Sequence, residues 1–171
     1  GSIFINQEHT YVFDPEFAFY GPMGYDIGNV IANMFFAWCN GNATIEDQAE
    51  KENFCGWVLD AIVEIVDKFI VKFKISFQEN VTDTMAKTEG FMEWYLGNVL
   101  KDTAAVAGFE SIRRTVGMAN VKDITSITDV DKRERAEKTI ILLAKNYIMN
   151  RETFVSGADY RRAIEEAIAK F

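Results

Sequence analysis

The sequence predicts a mainly α-helical lobe that opens with a short β-hairpin. Three observations lead there. The only two prolines, Pro15 and Pro22, lie near the start and leave the rest of the chain free of strong helix breakers. Short β-branched and aromatic runs occur before Pro15, and after Gly24 the apolar residues recur at helical spacing. Hydrophobic residues make up 49% and aromatic residues 13% of the 171 positions, enough for one domain with its own core.

In the head, Ile3-Phe4-Ile5 and Tyr11-Val12-Phe13 read as two strands, with Asn6 to Thr10 as the turn between them. The second strand ends at Asp14-Pro15-Glu16, since proline cannot extend a ladder. Next comes a helix on Ile27, Val30, Ile31 and Met34 that stops near Asn40-Gly41-Asn42. Thr44 with Asp47 resembles a capping box for a long helix through Trp57, Val58, Ile62, Ile65, Phe69 and Phe73, with Trp57, Ile65 and Phe69 packed inward. A third helix carries Phe91, Trp94, Tyr95, Val99 and Leu100 towards Arg114. A fourth runs from Asp129 to Asn150 with Ala136, Ile140, Leu143 and Tyr147 inward, and Ser156 with Asp159 starts the last. That makes about five helices, with no internal repeat and no linker.

Charge and composition narrow the function. A net charge of −8 repels phosphate backbones, which speaks against nucleic acid as a partner but not against a nucleotide held by a few cations or a metal ion. Cys39 and Cys55 have no zinc or disulfide spacing and read as reduced thiols inside helices. The Asn42-Ala43-Thr44 and Asn80-Val81-Thr82 sequons read as a helix cap and a turn, because no signal peptide accompanies them. No apolar run approaches the ~18 residues of a membrane span.

Two groups of residues could carry chemistry. Asp14 and Glu16 are two carboxylates at a strand end, a pattern that suits Mg²⁺, which takes hard oxygen ligands. The same spacing also suits a turn in which Asp14 bonds a nearby backbone N–H. Arg113 and Arg114 form a pair with the fork geometry that holds phosphates or sugar hydroxyls, or else a solvated basic face on a helix. His9, the lone histidine, falls in the hairpin turn and reads as exposed. Asp26 opens a helix, where an acidic side chain offsets the helix dipole.

The stretch from Phe13 to Gly28, Phe-Asp-Pro-Glu-Phe-Ala-Phe-Tyr-Gly-Pro-Met-Gly-Tyr-Asp-Ile-Gly, resembles the phosphotransferase family of aminoglycoside, choline and methylthioribose kinases, and methylthioribose kinases in particular. The run from Gly108 to Ala119, which holds Arg113 and Arg114, is similar to the same kinases. The resemblance implies that residues 1–171 are the helical C-terminal lobe of a protein-kinase-like fold. It implies ATP and Mg²⁺ as cofactors, with Asp14 and Glu16 as metal ligands, and Arg113 and Arg114 on the sugar and the transferred phosphate. The implied reaction moves the γ-phosphoryl of ATP to the 1-hydroxyl of 5-methylthioribose in methionine salvage, in a cytoplasmic homodimer.

The opening Gly1-Ser2-Ile3-Phe4 resembles the end of the family's His-Gly-Asp-Leu-His catalytic segment, whose His-Gly-Asp part is missing from this sequence. Ser2 stands where many relatives have a metal-binding Asn, and the shorter side chain shifts weight to Glu16. The nucleotide-binding lobe is also missing, so the resemblance implies a chain inactive by itself. The alternatives are the same lobe of a choline, homoserine or aminoglycoside kinase, or a helical binding module without activity.

Overall fold

The computed structural model describes residues 3–14 and 18–171. Strand β1 (Ile3–Ile5) pairs antiparallel with β2 (Thr10–Val12), with Ile3 opposite Val12 and Ile5 opposite Thr10. Asn6 makes the turn: its Oδ1 accepts from the backbone N–H of Glu8 at 2.9 Å and of His9 at 2.7 Å. The second strand sits one residue earlier than its composition suggests. Phe13 leaves the ladder and stacks on Phe4 with ring centroids 4.5 Å apart. His9 is exposed in the turn, as expected.

Helix α1 (Gly24–Thr44) runs four residues past Asn40, through the Asn-Gly-Asn that was expected to end it. Gly41 is buried against the Phe54 ring, and a Cβ there would stand 2.4 Å from it. Packing on the next helix therefore outweighs the weak helix propensity of this stretch. Asn42 to Thr44 cap nothing; Thr44 instead donates its Oγ1 hydrogen back to Asn40 O at 2.8 Å.

Helix α2 (Gln48–Asn80) is capped by Asp47, which accepts from Glu50 N at 2.8 Å, so the expected Thr44–Asp47 box is replaced by Asp47 alone. Its buried stripe is Cys55, Val58, Leu59, Ile62 and Val66. Trp57, one position from Val58 and so about 100° around the helix, is 59% exposed rather than inward, and Ile65 and Phe69 are half-buried.

Helix α3 (Phe91–Thr115) lies between α1 and α5 (Val130–Met149). Its first turn leaves Trp94 61% exposed, although Leu96, Val99 and Leu100 go inward. Glycines let the three helices close. A Cβ on Gly24 would meet the Val99 carbonyl at 2.6 Å, one on Gly28 the Thr103 carbonyl at 2.6 Å, and one on Gly108 the Ala144 carbonyl at 2.8 Å.

The short α4 (Lys122–Thr125) plugs one end with Ile124 and is tied to α1 by Asn40 Nδ2 donating to Asp123 O at 2.6 Å. Asp129 caps α5, which buries Ala136, Ile140, Leu143 and Tyr147 as its periodicity predicts. Ser156 and Asp159 form the expected capping box of α6 (Gly157–Ile168), whose Tyr160 packs with Tyr147 and Phe154. Cys39 and Cys55 are buried free thiols, and burial pushes both above the ordinary thiol range. No described helix is long and apolar enough to cross a membrane. A helical body with a two-stranded hairpin at its start is the fold expected of a kinase-like C-terminal lobe.

Candidate active site

The hairpin ends at Asp14, whose φ of 64° puts a non-glycine residue in the left-handed region. Aspartate is one of the few residues that tolerates that conformation, and residues held there often serve a site. The exposed Asp14 lies on the wall of an open cleft of about 610 Å³.

 That volume suits a small-molecule ligand.

The other wall comes from the loop into α1 and from its first turn, with Phe19, Pro22, Met23, Tyr25 and Asp26. Phe19 and Tyr25 meet edge to face at 5.2 Å, and Tyr95 of α3 donates its hydroxyl hydrogen to Met23 Sδ at 3.3 Å, which ties the rim to the helical body. Asp26 is exposed in the first turn of α1 and shares the cleft with Asp14. The helix has no side-chain cap at Met23, so Asp26 is the acidic group nearest its positive end. Glu16 and Ser2 lie outside the described residues. Among the described residues, no three His, Cys, Asp or Glu side chains gather as a metal cluster. Two carboxylates on one cleft still fit Mg²⁺, which is commonly held by one or two carboxylates together with substrate phosphates.

Arg113 and Arg114 stand in the last turn of α3 and are joined by a residue that the sequence reading passed over. Glu110 is 6% exposed and accepts from both. Arg113 Nε donates to its Oε2 at 2.8 Å, and Arg114 Nε donates to its Oε1 at 2.8 Å. Arg114 also donates to Ala119 O at 3.3 Å. Burial pushes the Glu110 carboxyl up, but the hydrogen bonds and charges of the two arginines outweigh it and hold the group below the ordinary carboxylate range. Glu110 in turn raises Arg113 above the ordinary guanidinium value. The arginines themselves are not among the residues that line the cleft. The signal for Glu110 was present in the sequence as an acid three and four positions before two arginines on a helix.

No family model matches the chain. Curated relatives do. The chain is 35% identical over 166 residues to the methylthioribose kinase of Geobacillus kaustophilus (strain HTA426), an alignment that covers 97% of this chain and 40% of the relative. It is 32% identical over 168 residues to that of Bacillus pumilus (strain SAFR-032), with 98% and 40% covered. It is 32% identical over 151 residues to that of Yersinia pestis (strain Pestoides F), with 87% and 36% covered. The chain therefore spans about 40% of the length of the curated relatives it matches.

Proposed function

From a chain homologous to the methylthioribose kinases along nearly its whole length, we propose that these residues are the C-terminal lobe of a kinase that phosphorylates the 1-hydroxyl of 5-methylthioribose with ATP. The observation that carries the reading is the acidic cleft at the strand end, with Asp14 and Asp26 on its walls.

In this proposal Asp14, with Glu16, holds Mg²⁺ against the nucleotide phosphates. The ion, when bound, neutralises phosphate oxygens and leaves the γ-phosphoryl group open to attack. Arg113 and Arg114 orient the sugar and offset the charge that builds on the transferring group. Glu110 keeps both guanidinium groups in one orientation, so less side-chain freedom is lost when substrate arrives. The acid that orients and deprotonates the sugar hydroxyl belongs to the family's His-Gly-Asp segment, and the nucleotide lobe likewise lies beyond these 171 residues. The parent acts in the cytoplasm as a homodimer, and the 171 residues alone do not turn over ATP.

The test uses the full-length parent with ATP and a panel of 5-methylthioribose, choline and homoserine. Turnover is expected with the sugar. Asp14→Asn should lower it by about 10²-fold or more, the scale of losing one electrostatic stabiliser, with the melting temperature unchanged because asparagine also tolerates φ near +60°. Turnover with choline or homoserine instead of the sugar sinks the substrate assignment. A fully active Asp14→Asn variant returns Asp14 to a turn residue.

A further inference from the structure

Helix α1 ends beside the start of α2 and the first three turns of α5, and a cavity of 290 Å³ opens between them, with Ile168 and Phe171 completing its wall. Three cations line it: Lys51 from α2, and Lys132 and Arg135 from α5. No residue that lines it has an acidic side chain. That is an unusual local balance in a chain with 26 acidic and 18 basic residues.

The neighbouring charges on α5 follow a different pattern. Arg133 pairs with Glu137 at 3.8 Å and Lys138 with Glu134 at 2.6 Å, whereas Lys51, Lys132 and Arg135 form no ion pair among the described residues. Lys132 is fixed in place by donating to Ala43 O at 2.8 Å, in the last turn of α1, and keeps two further N–H groups. Trp38 lies in the cavity wall. Trp38 is 8% exposed, and its Nε1 is buried with no hydrogen-bond partner. Its ring therefore reports on what occupies the cavity through packing rather than by a direct bond.

We propose that this cavity binds a small phosphate-bearing anion. Lys51 and Arg135 form no ion pair among the described residues, and Lys132 is held only by a backbone carbonyl, so three positive charges line one cavity without a paired carboxylate side chain. Arg135 presents a fork suited to phosphate oxygens, while the two lysines supply charge without a fixed geometry. A doubly charged phosphate would offset most of the local positive charge, and the volume admits an anion of small-metabolite size. The inference rests on the cavity alone and stands whether or not the kinase reading holds.

Inorganic phosphate is the probe. In the ¹⁵N-labelled 171-residue chain, the indole N–H resonance of Trp38, identified with Trp38→Phe, is followed during titration with phosphate and with chloride at matched ionic strength. Phosphate should shift it saturably with millimolar or tighter affinity, while the exposed Trp57 and Trp94 stay put. Arg135→Gln and Lys51→Gln should each weaken that affinity about tenfold, the scale of a lost charge-assisted contact. Arg135 is exposed, so its variant should melt where the wild type does in the absence of phosphate. The proposal is overturned if the Trp38 resonance does not move, if chloride moves it equally, or if both variants bind phosphate as the wild type does.

Discussion

Glu110 concentrates the electrostatics of the arginine pair in one buried carboxylate. Its folded-state pKa lies below the ordinary value of 4.5, so the stabilisation it provides is complete above that value and fades as pH falls from about 4.5 through the lower folded value. Glu110→Gln keeps the shape and removes the charge. The expected result is a melting temperature lowered at pH 7, by about 1–3 kcal/mol of stability for a buried charged hydrogen-bonding group, with the gap to wild type narrowing below pH 4.5. Thermal melts of both proteins from pH 7 to pH 3 test this, and parallel curves would show that Glu110 contributes no charge-dependent stability. The Arg-Arg pair was legible in the sequence, and the spacing of Glu110 marked it as a candidate partner, but its weight was not legible. Its value depends on burial, and an isolated helix sequence does not show which face is covered.

At the scale of the elements, the α1–α3 contact depends on bare backbone. A Cβ on Gly28 would meet Thr103 O at 2.6 Å and Ala107 N at 2.9 Å, and neither atom can move without moving its helix. Gly28→Ala should therefore destabilise by about 1–3 kcal/mol despite the better helix propensity of alanine. Gly97→Ala, also in α3 but with nothing within 4 Å of the added carbon, should stabilise by up to about 1 kcal/mol. Denaturant unfolding of the two variants compares them directly, and the same sign for both would mean that the close approach is relaxed in solution. The helices themselves were readable because their apolar periodicity and caps agree, as at Asp129 and at Ser156–Asp159. The end of α1 was not, because Gly41 is kept helical by Phe54 from another element. Trp57 was misplaced for a related reason: the aromatic residue was assumed to face inward, while the stripe through Val58 points elsewhere.

Across the whole molecule, the described residues divide into a helical body and a hairpin that packs mainly on itself. Ile5, Tyr11 and Val12 are 74%, 59% and 77% exposed, so the ladder has little apolar cover. In the 171-residue chain its amides should exchange hydrogen with solvent far faster than those of α1 and α3, since local opening there exposes almost no new surface. Exchange followed by mass spectrometry tests this, and protection of residues 3–12 equal to that of α3 would refute it. Asp14 is anchored at the end of this hairpin, so the proposed binding of a cation there would depend on how often the ladder is formed. Whatever covers the exposed strand face in a longer protein would raise that fraction and tighten ion binding in proportion, without touching the ion. Coverage of the hairpin would thus act as a thermodynamic gain control on the proposed metal site.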